Sequence, residues 1–301
     1  MTLSELSKLT EDEAREELER IMWPNGPVCA HCGKTGNTRK FEGKAHRSGV
    51  YKCNDCDEQF TVTVNTIMES SHISIRTWLM AFSLMCSGKK GVSALQLQRQ
   101  LGLGSYKSAW HMAHRIREAM KLEPLASLLG IVEVDELYIG GKPRKGTGTH
   151  KRGRGTKKTP VLTLVERGGR ARSFPVENVS GATLKQAIRE NVDRKATIMT
   201  DEWPAYQGIG AEFDGGHHFV THSAGEYAKG GTSTNLAESY FALLKRGIVG
   251  SFHHISKQHL HRYCNEFSFR WDHRKASDGE RTAAAIRQSD GRRLLYKERI
   301  S

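Results

Sequence analysis

Four cysteines stand in two close pairs, Cys29-Ala-His-Cys32 and Cys53-Asn-Asp-Cys56, with twenty residues between the pairs. Thiolates at this spacing are the ligand pattern of a structural zinc ribbon. Gly33 suits a tight knuckle, and TRKFEGKAHRSGVYKC between the pairs reads as two short strands and a turn. A unit too small to bury its own core gains its fold from the metal. His31 lies inside a knuckle, but four cysteines leave it no vacancy. A second arrangement sits in TSTNLAESYFALLKRG, residues 232–247. On a helix advancing ~100° per residue, Asn235, Glu238 and Lys245 fall within an arc of ~80°. Leu236, Tyr240, Leu243 and Leu244 fall on the other side and would face a core. Such a polar stripe is usually a solvated face, so its meaning depends on what else it meets. Asp135 stands in GIVEVDELYIGG, bracketed by apolar residues, and Asp201 ends KATIMTDEW. A carboxylate in an apolar run is costly to bury unless a cation or hydrogen bonds meet it. Two carboxylates held side by side repel, which divalent cations between them relieve.

The elements that would position these groups follow from the patterning. Residues 1–22 read as an acidic helix with Leu6, Leu18, Ile21 and Met22 available for packing, and residues 23–70 as the zinc ribbon. Residues 71–123 read as helical. ISIRTWLMAFSLMCSG opens at Ser71 or Ser74, and two further helices are joined by Gly102-Leu103-Gly104-Ser105. Leu95, Leu97 and Leu101 supply the apolar positions of the first of these; Ala109, Met112, Ala113 and Ile116 supply those of the second. The outer face of the second would offer Lys107, His111, His114, Arg115 and Arg117. Two helices with a short glycine-containing turn suit a helix-turn-helix that reads DNA, or any helical hairpin.

Beyond Pro124 the rhythm changes to three strands (GIVEVDELYIGG, TPVLTLVERGG, ARSFPVENV), then helix, strand, short helix from Pro204, strand and helix. Pro175 suits an edge or broken strand. This order fits a mixed sheet with helices on its faces, an α/β domain spanning 124–275. Period-two alternation puts Glu133 on the face of Asp135 and Glu136 opposite, which leaves Glu133 open as a ligand and Glu136 outside the site. SKQHLHRYCNEFSFRWDHRK reads as a last helix and 276–301 as a polar tail. Cys86 and Cys264 lie in apolar or aromatic helical contexts and read as buried small residues. The segment 141–158 carries eight lysines and arginines with no acid, which suits a surface loop, a phosphate backbone, or both.

The formal charge is +13, with a pI near 9.5. The acidic first helix leaves the remainder near +17. Nucleic acid is the commonest partner for so basic a chain, although ribosomal and membrane-surface proteins share the property. No signal peptide is visible, and the longest uncharged run, TWLMAFSLMCSG, is too short to span a bilayer. A cytoplasmic, nucleoid-associated protein is the expectation.

Asp135, Asp201, thirty-six residues, Glu238, six residues and Lys245 together resemble the D-D-E signature of retroviral-integrase-type transposases. The wider chain resembles bacterial insertion-sequence transposases that carry a zinc ribbon and helix-turn-helix ahead of the catalytic core. CAHCG, CNDC, LQRQLGLGSYKSAWHMAHRIR, VEVDELYIGG and TNLAESYFALLKRGIVGSFHHIS carry the likeness, over roughly residues 20–275. It implies an RNase H-like core with a mixed five-stranded sheet, and two Mg²⁺ (or Mn²⁺) ions held by Asp135, Asp201 and Glu238. It also implies cleavage of transposon ends and joining of the 3′-hydroxyl to target DNA. In this group the third ligand is often asparagine, and Asn235 stands one turn before Glu238. Glu238 is favoured for its charge and for the E-x6-K interval; Asn235 is then a neutral ligand or a helix cap. His222, ahead of this helix, reads as a residue lining the site or as a surface histidine. Double-stranded DNA is the implied partner, contacted by Lys107, His111, Arg115 and Arg117 and, near the chemistry, by Lys245 and Arg246. Pairing two ends implies at least a dimer. A nuclease without strand transfer, or a regulator that has lost the chemistry, are the alternatives.

Overall fold

The computed structural model describes residues 2–43, 45–121, 127–141, 158–221, 224, 228–229 and 231–296. Pro124, His222 and all but the first and last residue of the basic segment 141–158 lie outside them. The chain divides into two compact units, residues 1–120 with 276–301, and residues 121–275. Among the described residues no helix is long and apolar enough to cross a membrane.

The first unit starts with α1 (Leu3–Lys8) and α2 (Glu11–Met22), each opened by a threonine that forms a capping box with a glutamate three residues on. The ribbon follows as three short antiparallel strands, β1 (Thr38–Lys40), β2 (Tyr51–Cys53) and β3 (Gln59–Phe60). Its small core holds Cys29, Tyr51, Cys53 and Phe60, with Trp23 packed against it. Then come α3 (Ile75–Ser87), α4 (Ala94–Leu101) and α5 (Tyr106–Ala119). Helix α3 is apolar nearly all round because α1, α2, α4 and α5 all pack on it. Leu95, expected to be packed, is exposed.

The second unit is built on a five-stranded sheet. It comprises β4 (Ile131–Ile139), β5 (Thr159–Glu166), β6 (Ala171–Pro175), β7 (Thr197–Asp201) and β8 (His217–Val220). The order is β6-β5-β4-β7-β8, with β4, β5 and β6 antiparallel and β7 and β8 parallel to β4. This is the mixed sheet of an RNase H-like core, and Pro175 ends an edge strand. Helix α6 (Gly181–Asn191) leads from β6 to β7. The hairpin of β9 (Ala228–Lys229) and β10 (Thr232–Ser233) precedes α7 (Asn235–Gly247) and α8 (Leu260–Asp272). Alternation along β4 divides the core in two. Val132 and Val134 meet α6, and Leu137 and Ile139 meet α7 and α8.

Several boundaries differ from the sequence pattern. The helix expected from Pro204 is two 3₁₀ turns, because Gly208 between them is left-handed. Helix α7 gives way at Gly247 to a π-turn, Ile248–Phe252, which ends on His253 at φ 58°. The segment 276–301 is not a polar tail. It carries α9 (Asp278–Arg287), which returns to the first unit and packs on α2, α3 and α5.

Gly102 closes α4 in the left-handed region at φ 63°. No atom lies within 4 Å of where its Cβ would be, so substitution costs backbone strain alone. Gly102→Ala should lower unfolding free energy by ~1–2 kcal/mol, read from urea unfolding followed by tryptophan fluorescence.

Candidate active site

Asp135 lies on the central strand β4, whose parallel ladder with β7 ends at Glu133–Met199. Asp135 and Asp201 each lie two residues beyond that last pair, and the charge of Asp201 acts on Asp135. Asp201 thus ends β7, where functional side chains of open α/β sheets gather, and Asp135 lies mid-strand on the neighbouring β4, just past the end of their shared ladder. One oxygen of each is steadied locally. Asp135 Oδ1 accepts from the Glu136 N–H at 2.7 Å, and Asp201 Oδ1 from the Trp203 N–H at 3.1 Å. Glu238 approaches from α7, and it and Lys245 both occupy the exposed side of that helix. Ala237, Tyr240, Phe241 and Leu244 are buried on the other side.

Electrostatics links the three acids. Burial first, then the charge of Glu136, then those of Asp201 and Glu238, push the Asp135 carboxyl up to about 8; only the Glu136 N–H opposes them. Among the described residues the four cysteines are the group whose ligand atoms close to the spacing of a single ion. The acids are not drawn together to that degree. Their donors are all hard oxygens, so the residues fit Mg²⁺ or Mn²⁺.

Glu136 points to the opposite face, where Tyr206 donates to its Oε2 at 2.9 Å. The Tyr206 hydroxyl is held protonated, its pKa raised by burial and then by the charge of Glu136. Sequence patterning missed this tyrosine, which lies in the first 3₁₀ turn after β7. Glu133 faces α7, and its carboxylate is bonded to Arg167 Nε at 2.8 Å. Arg167 was also unmarked by sequence. It follows Val165, the register partner of Glu133, by two residues and so shares its face. Asn235 is the first residue of α7, exposed, with Thr234 in the N-cap position, so it does not cap the helix.

In the ribbon, Cys29 Sγ lies 3.6 Å from Cys56 Sγ, and Cys32 Sγ lies 3.7 Å from Cys53 Sγ. Four sulfurs at ~2.3 Å from one tetrahedral zinc would stand ~3.8 Å apart, so the four fit that ion closely. Burial pushes the Cys29 thiol up, but the backbone N–H groups of Cys32 and His31 outweigh it and bring it down to about 7. His31 turns away, its Nε2 within 3.2 Å of the Gln59 carbonyl. Cys86 and Cys264 are fully buried.

The outer face expected on α5 is only partly open. Lys107 is exposed in the first turn beside Tyr106, which is 51% exposed, and His111 is half-buried against Tyr296. Arg115 and Arg117 are 8% and 2% exposed, and His114 is buried as well. Arg115 donates to the Glu69 carbonyl at 2.6 Å and lies over the Trp78 ring. The returning C-terminal segment covers this half of α5: Arg292 donates to the carbonyls of Glu118 and Ala119. Arg115 and Arg117 are therefore core residues and do not line an open groove-reading face.

An ISXO2-like transposase domain matches residues 127–272, and a transposase zinc-ribbon domain matches residues 9–59. An uncharacterised protein of the transposable element ISH50 of Halobacterium salinarum is 28% identical over 279 residues, covering 87% of this chain and 91% of its own length. Two solved structures are more distant. The Mos1 transposase paired-end complex with left transposon end is 16% identical, covers 64% of this chain and 70% of its own, and has a TM-score of 0.28. The pre-cleavage Mos1 transpososome is 15% identical, covers 95% and 92%, and also has a TM-score of 0.28. On its two domain matches, the chain belongs to the insertion-sequence transposases that carry a zinc ribbon ahead of an ISXO2-like transposase domain.

Proposed function

We propose that this transposase binds the terminal repeats of its element, cuts the DNA ends and joins the freed 3′-hydroxyl to target DNA at one site. The observation that carries the reading is the convergence of three acids from separate elements, Asp135 within β4, Asp201 at the end of β7 and Glu238 on α7, the last two acting on the carboxyl of the first. These residues, or Asn235 in place of Glu238, would hold two divalent ions. Ions bound there would activate the attacking oxygen and neutralise charge on the leaving one. Lys245 lies seven residues beyond Glu238, ~10 Å along the same face of α7, where it would grip a backbone phosphate. Arg246 is exposed beside it and would extend that contact. Tyr206 keeps Glu136 turned to the opposite face, away from the DNA.

Recognition of the ends falls to the first unit. Helices α4 and α5 suit a helix-turn-helix in which the start of α5, with Tyr106, Lys107 and His111, meets base edges and phosphates. Four ribbon cysteines would hold one zinc ion. A pair of chains is required to bring two ends together, so the reacting species would be at least a dimer.

Asp135→Asn and Asp201→Asn should each lower divalent-dependent cutting of terminal-repeat duplex by more than the ~100-fold typical of losing an outer-shell partner. Gel-shift binding of the same duplex should persist. Glu238→Gln and Asn235→Ala, assayed in parallel, identify the third ligand; undiminished cutting by Glu238→Gln would assign the role to Asn235. Joined products separate strand transfer from simple hydrolysis. Chelation, or Cys53→Ser, should remove one equivalent of zinc by metal analysis and with it end binding, because the ribbon's fold depends on the ion. End binding should also fall steeply as salt rises, with a smaller slope for Lys107→Ala.

A further inference from the structure

Most helices of this chain cap themselves. A serine or threonine side chain accepts from the first turn in α2, α3, α4, α5, α6 and α9. Helix α7 does not, for the Thr234 side chain makes no capping bond. Its first N–H groups, which have no partners inside the helix, are met from another element. Glu133 Oε2 accepts from the Leu236 N–H at 2.7 Å and the Ala237 N–H at 3.3 Å. Its Oε1 accepts from Arg167 Nε at 2.8 Å and from the Ser233 hydroxyl at 3.3 Å. Arg167 also holds the chain that leads into the helix. Its Nη1 donates to the Gly231 carbonyl at 2.7 Å, and its Nη2 to Ser233 Oγ at 2.8 Å.

Glu133 is fully buried, and both of its oxygens are committed to this network. It stands two residues before Asp135 on the same face of β4, ~7 Å away. Leu236 and Ala237, whose amides it holds, immediately precede Glu238. A buried carboxylate therefore joins the strand of the first acid to the first turn of the helix that carries the third. Its charge also suits the positive end of the helix.

We propose that Glu133 and Arg167 are positioning residues whose ion pair sets the first turn of α7, and hence Glu238 or Asn235, at the separation from Asp135 at which divalent ions are shared. The proposal rests on the reading of Asp135, Asp201 and Glu238 as ligands. Glu133 is not itself a ligand; it acts through the helix it caps.

The test uses the full chain and two variants. Glu133→Gln keeps an oxygen for one amide and gives up the charge. Arg167→Lys keeps the charge and loses the fork that reaches Glu133, Gly231 and Ser233 together. Manganese binding is titrated by electron paramagnetic resonance without DNA, beside thermal melting and manganese-dependent cutting. Both variants should bind manganese ~10–100-fold more weakly, as outer-shell losses do. Half-maximal cutting should need correspondingly more manganese, with the rate recovering at saturation. Amide exchange at Leu236 and Ala237 should quicken. Unchanged manganese binding with a lowered melting temperature, or with cutting slowed equally at every concentration, would reduce the pair to a fold-stabilising contact and overturn the proposal. Should Glu133→Gln fail to fold, Arg167→Lys decides the matter alone. Asp135→Asn separates the two levels: if it binds manganese as the unaltered chain does, the ligand reading itself falls and the positioning role with it.

Discussion

Like charges crowded beside the central strand are the constraint on which the second unit is built. Asp135 lies in the middle of β4, two residues past the last pair of the β4–β7 ladder, and its carboxyl feels the charges of Asp201, which ends β7, and of Glu238 on α7. In that arrangement the charges of Glu136, Asp201 and Glu238 all act against ionisation of Asp135. Apolar layers on both faces hold it in place. Val132, Val134, Leu162 and Leu164 pack on α6, and Leu137, Ile139, Val161 and Val165 pack on α7 and α8. A sheet covered on both faces cannot relax by splaying its strands, so the acids stay where divalent ions would find them.

Helix α7 must be fixed in two senses for its polar stripe to serve the site. Its rotation is set by the buried residues Ala237, Tyr240, Phe241 and Leu244. The Tyr240 hydroxyl reinforces it by bonding to Ser173 on β6 and Ser268 on α8, a buried polar group with its partners satisfied. Its start is set by Glu133 and Arg167. Hydrophobic packing is non-directional and tolerates sliding, whereas amides held by a buried carboxylate do not. The two devices together fix both the rotation and the start of the helix that carries Glu238 and Lys245.

The first unit meets a different difficulty, since a ribbon of eight strand residues cannot bury enough surface to fold alone. Four sulfurs at tetrahedral spacing take the place of a larger core, with Trp23, Tyr51 and Phe60 packed edge-on or stacked beside them. The helices instead use α3 as a hub, and the chain's end returns to complete it. Arg115, held by the Glu69 carbonyl and the Trp78 ring, and Arg117 are both buried and so do not add to the basic surface. What stays exposed at the start of α5 is Tyr106, Lys107 and Ser108, a less basic face than the count of basic residues suggests.

The sequence by itself determined what local pattern can encode. The cysteine spacing fixed the ribbon, period-two alternation fixed the faces of β4, and helical periodicity fixed which side of α7 is polar. The D-D-E interval and its neighbours marked the family, and the apolar runs beyond Pro124 marked the order of strands and helices. Only the tertiary structure decided what depends on neighbours distant along the chain. Polar composition made 276–301 read as a tail, yet α9 buries Thr282, Ala285 and Ile286 and covers α5. Arg115 and Arg117 look solvent-facing on an isolated helix and are core residues in the packed unit, Arg115 against Glu69 and Trp78. Glu133 was ambiguous because alternation gives a side chain its face and not its partner. The partner, Arg167, lies thirty-four residues away and is set by the register of β4 with β5. Periodicity is a property of one element, whereas burial and ion pairing belong to the packing of several.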